Sequence, residues 1–547
     1  MKRRNGFTLV ELLAVIVILA IVLIIAVPGV LSIINKTKSN ALDRQKDMIK
    51  EASRLYVTSD SDVTWVGQDT KMTTVTLDTL KAKGYLDQKI IDPKTKKEIT
   101  CVKTVITKTG SKYDYDVTIC DQINASPRLS SNMIPIAWNG STWVKADYTN
   151  QDNNWYDYDN QQWANVATVT ESTRDKYKKA DIGNEIKMED INTMFVWIPR
   201  FKYKLFNVDG TVSPVGNPNM AGDYLIDVQI EEANIPKATG TQNGEWLTHP
   251  AFTFGGEELT GIWVGKFETG YNQGPDQTTY TKLGAEQNKK DGTKVLIKPT
   301  IPSWRNNKVS NTFYSILSMK DTSNPYGLTS TEDPHMMKNM EWGAMAYLTQ
   351  SKYGKQGNDA YVGAEKQVRI NNNTTYLTGC GADTQDAAGV ATCNTYETVN
   401  GMSASTTGNI TGIYDTSGGA WEMVSGVMKE SNGMDIMIAN SNFSLEEVNK
   451  LAQSGKYFDV YDYGTTWQDR SRGHLGDATI ETGPFASDRG AWYQDYAVFV
   501  ASYEQRSWFS RGVSYDIFGG ATAAGIFAYD YGYEGLYTNH GSRAVLI

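Results

Sequence analysis

Residues 1–39 read MKRRNGFTLVELLAVIVILAIVLIIAVPGVLSIINKTKS, and the organisation of the whole chain follows from this stretch. A short basic leader, with Lys2, Arg3 and Arg4, ends at Gly6. From Leu12 to Val27 no residue is polar, and basic residues return only at Lys36 and Lys38. A helix of about 20 apolar residues crosses a bilayer, because only a helix satisfies its own backbone there. The leading cations put the N-terminus on the cytoplasmic side. A secretory signal would show a small-residue cleavage site behind the apolar core. Here the apolar run continues through Ser32-Ile33-Ile34 into an amphipathic stretch reaching about Thr58, which reads as one long helix. A plain anchor leaves Glu11 unexplained, since a carboxylate near the start of the apolar run is costly without a partner.

Gly6-Phe7-Thr8-Leu9-Val10-Glu11-Leu12-Leu13 resembles the prepilin motif of the type IV pilin and pseudopilin superfamily. The resemblance implies that a membrane prepilin peptidase cuts between Gly6 and Phe7 and that the new terminus at Phe7 is methylated. It also implies that Glu11 pairs with the terminal amine of a neighbouring pilin subunit during assembly. Pro28 fits the bend or local melting of pilin helices. Thr76 to Leu86 then reads as a short helix. After Asp92-Pro93, Val102–Ile106 and Tyr113–Ile119 alternate as strands, similar to the small sheet of a Gram-positive pilin head. Cys101 and Cys120 bracket that hairpin. They are either a bridge or two buried thiols, and an extracytoplasmic compartment favours the bridge.

The chain has 547 residues, too many for one ordinary domain. Hydrophobic residues make up 40% and charged residues 21%, which allows sizeable cores and excludes wholesale disorder. The 31 Tyr, 14 Trp and 48 Gly point to β-rich, loop-rich domains. Net charge is −9, and losing Lys2, Arg3 and Arg4 with the leader takes it to −12. Nucleic-acid binding needs a basic footprint and is therefore not expected.

Residues 126–190 read as a β-hairpin module or ordered linker, with Asn139-Gly140 as a tight turn. Trp138, Trp143, Trp155 and Trp163 either line a carbohydrate site or form the core of a small β unit. From Met194 the texture is that of one large domain. Met194–Arg200 and Gly261–Glu268 are strand-like, and Met337–Leu348 is helix-like. Glu341-Trp342, the block Gly418 to Met423, Arg511 to Ser514 and Ser542-Arg543 come in an order that resembles the formylglycine-generating-enzyme type of C-type lectin fold. The oxidising members of that family use a cysteine pair near the C-terminus. Here the last cysteine is Cys393, and Cys380 and Cys393 read as a disulfide-closed loop. His249, His335, His474 and His540 are scattered without metal spacing. No catalytic residue, metal or cofactor is expected.

Residues 512–547 contain no Lys, Met, Trp or Gln, and one Glu, Glu534. Randomising both adenines of Asn codons that end in a pyrimidine reaches every amino acid except those five. The segment resembles the variable repeat of proteins diversified by retroelements, which commonly use the same lectin-like fold. The alternative is a fixed Gly/Tyr-rich loop. On the diversified reading Val513, Asp516, Ile517, Phe518, Asp530, Tyr531, Tyr533, Leu536, Tyr537, Thr538, Asn539 and His540 form a ligand-binding face. Tyr515, Gly525, Phe527, Arg543, Val545 and Leu546 hold the scaffold. Tyrosine suits such a face, giving large contact area at low entropy cost.

The expected fold class is α+β. Residues 1–6 are the leader, 7–58 the transmembrane and assembly helix, 59–125 a small pilin-head sheet, 126–190 the hairpin module and 191–547 the lectin-like domain. The expected function is a minor or tip pilin-like adhesin, made as a membrane precursor and then displayed on the cell surface or pilus. Its ligand is a protein or carbohydrate surface. A structural major subunit is the alternative, and a surface oxidase is a weaker one.

Overall fold

The computed structural model describes residues 41, 44–60, 62–63, 65, 70–86, 89–91, 99, 102–119, 127–148, 155–210, 226–231, 236–272, 288–357, 366–385, 387–438, 440–483, 490–502, 507–516, 523–532 and 535–547. The chain divides into two compact units, Met1–Asn124 and Ala125–Ile547. The apolar stretch from Leu12 to Val27 lies outside the described residues. Among the described residues no helix is long and apolar enough to cross a membrane.

In the first unit, a helix over residues 44–59 packs on a three-stranded antiparallel sheet of Thr70–Thr76, Val102–Thr109 and Lys112–Ile119. Strand alternation puts Val102 and Ile106 on the inner face, where they meet Ile49, Ala52 and Tyr56 of the helix. The short helix Leu77–Ala82 starts where the Thr76 hydroxyl accepts the Thr79 N–H, leaving Leu77 and Leu80 to fill the same core. Cys101 and Cys120 lie outside the described residues.

The second unit is built on two sheets. The first has seven strands in the order His335–Met336, Ala544–Leu546, Gly261–Gly265, Ile191–Pro199, Asn165–Val169, Ile134–Trp138 and Trp143–Lys145, paired antiparallel throughout. Residues 126–190 are therefore not a separate module. The strand Asn165–Val169 pairs with Ile191–Pro199, so the hairpin forms one side of the main sheet. Trp143, Trp155 and Trp163 are core, and their indole N–H groups donate to the Tyr396 hydroxyl, the Asn165 carbonyl and the Tyr353 carbonyl. Buried indoles with satisfied donors are core side chains, not an open sugar platform.

The second sheet runs Asp459–Tyr461, Trp421–Met428, Trp508–Gly512 and Gly525–Gly532, with His540–Ser542 lying parallel to Trp421–Met428. The C-terminal chain thus pairs in this sheet through Ser542 and in the first through Ala544. Arg543 sits at the switch, fully buried. It donates to both Glu422 carboxylate oxygens, to the Gly265 carbonyl and to the Tyr414 carbonyl, tying the sheets together.

The helix Asn339–Thr349 is buried along its whole length. Glu341 accepts the Lys338 N–H at its start (2.8 Å) and lies 3.0 Å from Nε2 of His335. Trp342 donates to the Ile526 carbonyl at 2.7 Å, fixing the strand that leads into the C-terminal loops. Gly343 is obligatory, because a Cβ there would lie 1.9 Å from the Gly476 carbonyl oxygen.

Candidate binding face

The strands Trp508–Gly512 and Gly525–Gly532 carry the C-terminal segment to one end of the second sheet, with a register shift between Arg511 and Gly512. Gly512 (φ 82°) and Val513 (φ 60°) are both left-handed and turn the chain sharply. The turn drives Val513 inward, where it packs with Ile370, Trp421 and Ala528. Val513 is core and not part of the face.

Beyond the turn, Tyr515 is half-buried and Asp516 is exposed. The Tyr515 ring stands edge-on to Tyr376 at 4.9 Å, and its hydroxyl donates to the Thr374 carbonyl. The Asp516 carboxylate accepts from the Ser514 hydroxyl and, at 3.2 Å, from the Tyr376 hydroxyl. The Arg305 guanidinium lies over the other part of this cluster, 3.9 Å from the Tyr376 ring centre.

The loop 535–539 is fixed by its backbone. The Tyr537 carbonyl accepts the Asn306 N–H at 2.8 Å, the Thr538 carbonyl accepts from Arg305, and the Asn539 carbonyl accepts the Trp421 N–H at 2.8 Å. Three successive carbonyls held by residues outside the loop set its path independently of its own side chains. Those side chains point out: Leu536 is 45% and Tyr537 38% exposed, and Thr538 is exposed. Asn539 is half-buried, as are Asp530 and Tyr531 on the strand. His540 is buried instead. It lies against Trp421, and burial pushes its imidazole down to about 3, so it is neutral at physiological pH. Ile517, Phe518 and Tyr533 lie outside the described residues.

The scaffold positions Phe527, Arg543, Val545 and Leu546 are fully buried. Beneath the loops lies a buried acidic network. Glu268 accepts from the Ala420 N–H and the Ser303 hydroxyl, and Asp415 accepts from Asn371 and the Gly379 N–H. Burial raises the carboxyls of Glu268, Asp415 and Glu422, the last to about 7. Gly419 is required here, since a Cβ would lie 2.5 Å from a Glu268 carboxylate oxygen.

Cys380 and Cys393 are disulfide-bonded. The bridge closes the segment that carries Ala388 to Val390 beside Tyr515, following on from Thr374 and Tyr376, which touch the same ring. Tyr376, Arg305 and Asn371 were not singled out from sequence. Their only signal is the Asn371-Asn372-Asn373 run, whose side chains here bond to backbone carbonyls of Leu377, Ala388 and Ala391. Among the described residues no group of three or more His, Cys, Asp or Glu side chains could hold a metal ion.

Residues 1–27 match the family model described as the prokaryotic N-terminal methylation motif. The chain carries a type IV pilin-like N-terminus. The motif implies processing by a prepilin peptidase, assembly with other pilins, and a membrane-anchored precursor that then enters a pilus. That motif suggests a pilus-related surface subunit. Gly6, Phe7 and Glu11 fall inside the matched stretch and outside the described residues. A comparison with curated proteins found no match.

Proposed function

We propose that this pilin-like subunit is an adhesin, incorporated sparsely or at the filament tip, whose second unit presents a ligand-binding face on a lectin-like fold of the formylglycine-generating-enzyme type. The observation that carries the reading is the loop 535–539. Its backbone is anchored by three carbonyls while Leu536, Tyr537 and Thr538 face solvent. Such a loop tolerates side-chain change without losing its shape, which supports a face diversified at Asp516, Ile517, Phe518, Asp530, Tyr531, Tyr533 and Leu536 to Asn539. The order of the Glu341-Trp342 helix, the Gly418-Gly419 turn and the Arg543 switch supports the lectin-like assignment. The reading is non-enzymatic, because the last cysteine, Cys393, lies far upstream of Trp508. Assembly rests on Glu11 pairing with the Phe7 amine of a neighbour.

A structural major subunit is the second reading. A head three times longer than the N-terminal unit crowds a uniform filament, which favours sparse incorporation. The test is deletion of the protein together with quantification of sheared filaments. The adhesin reading expects filaments to persist, attachment to fall, and the chain to be a small fraction of filament mass. Loss of filaments, or dominance of this chain in them, would favour the structural reading. A near-copy of the last codons carrying Asn codons beside a reverse transcriptase gene would establish diversification.

A further inference from the structure

The two segments that meet at Tyr376 and Tyr515 share a charge pattern. Residues 371–395 and 513–540 contain no lysine and no arginine, whereas the chain as a whole has 53 of them in 547 residues. At that average, stretches of this combined length would hold about five. The segments do hold acids, Asp383, Asp516 and Asp530 among those described. Asp516 is exposed, and its carboxylate is oriented by two hydroxyl donors, Ser514 and Tyr376. Among the described residues no lysine or arginine forms an ion pair with it. The Arg305 guanidinium is fully buried against the Tyr376 ring. Beside Asp516 stands the half-buried ring of Tyr515, and the disulfide-closed loop packs on that ring at Gly389, next to the exposed Val390 (41% exposed).

A fixed carboxylate next to an aromatic ring is complementary to an alkyl-ammonium or guanidinium group. The charge meets Asp516, and the exposed part of the Tyr515 ring attracts the cation and carries its aliphatic stem. Hydroxyl donors that already hold the carboxylate remove the cost of orienting it on binding. We propose that the partner of this face is a basic polypeptide surface, with a lysine or arginine side chain seated on Asp516 beside the exposed part of the Tyr515 ring. This rests on the adhesin reading above and names its ligand class; a neutral glycan would have no use for the charge.

The experiment uses the full chain solubilised in detergent and a fluorescent peptide of Lys-Ser-Gly repeats, followed by anisotropy. The probes for comparison are the same peptide with every lysine acetylated and one with Glu in place of Lys. Asp516→Asn should weaken lysine-peptide binding by about tenfold or more, the scale of one charge-assisted contact. Asp516→Glu should retain most of it. Asp181→Asn, at an exposed acid elsewhere in the same unit, should match the parent. The acetylated and Glu peptides should bind weakly, and raised salt should weaken the lysine peptide. Equal binding by Asp516→Asn and parent, an equal loss in Asp181→Asn, or equal binding of the acetylated probe would each overturn the proposal. If Leu536→Ala with Tyr537→Ala abolishes cell attachment while Asp516→Asn changes nothing, the face stands and its basic partner does not. If neither variant affects attachment, the face itself is wrong.

Discussion

Replacing Leu536 and Tyr537 together with Ala should remove attachment while leaving the second unit folded. Leu536 is 45% and Tyr537 38% exposed, so both retain much of their area for a partner. Exposed substitutions of this kind usually change folding stability by no more than about 0.5 kcal/mol each. Tyr537 also meets the His540 ring at 5.4 Å, a contact worth about 0.5–1.5 kcal/mol. The folding cost therefore stays at or below about 2.5 kcal/mol, a melting shift of a few degrees. The loop itself persists, because the carbonyls of Tyr537, Thr538 and Asn539 remain available to Asn306, Arg305 and Trp421. A true hot spot costs about 2 kcal/mol or more on truncation, roughly 30-fold in affinity for each side chain. The assay pairs a thermal melt of the purified chain with attachment of cells displaying it. A variant that unfolds would make these side chains core. A variant that melts like the parent and attaches normally would place the binding site elsewhere.

Arg543→Met should cost the second unit about 3–5 kcal/mol, because Glu422 is left buried without its counter-ion. Adding Glu422→Gln should recover part of that in denaturant titration, since the stranded charge is gone. The Glu481 carboxyl is raised by burial to about 7 from its ordinary 4.5, despite donors from Tyr203, Tyr347 and the Gly476 N–H. The folded form then holds this proton more tightly than the unfolded chain. Its contribution is full below about pH 4.5 and is lost as pH rises through 7, on the order of 3 kcal/mol. Glu481→Gln should flatten the fall in stability between pH 5 and 8, and an unchanged slope would refute this. Reducing Cys380–Cys393, which spans 13 residues in sequence, should lower stability by about 3 kcal/mol, and binding should fall as Tyr376 loses its brace. A reduced protein that melts and binds as before would contradict both expectations.

Local patterns made several elements readable in the sequence. The hairpin of Val102–Thr109 and Lys112–Ile119, the turn at Gly140 and the helix around Glu341-Trp342 each announce themselves through alternation, turn residues or periodicity. The buried scaffold of Phe527, Val545 and Leu546 was legible from apolar positions among Gly and Tyr. The place of residues 126–190 was not, because the ladder joining them to the rest is set by pairing partners, Asn165 with Val196 and Val169 with Ile191, that carry no local mark. The inward turn of Val513 carries no local mark either. It depends on two consecutive left-handed residues, only one of them glycine. Tyr376 and Arg305 come to the face from segments more than 130 residues upstream of Asp516, and only the folded chain brings them together.

Processing as a pilin, and carriage into a surface filament with the large second unit attached, can be read from the filaments themselves. Mass spectrometry of protein from sheared surface filaments tests this directly. The expected chain begins at a methylated Phe7 and still contains the second unit. A chain that keeps Met1 to Gly6, stays in the membrane fraction and is absent from filaments would contradict it.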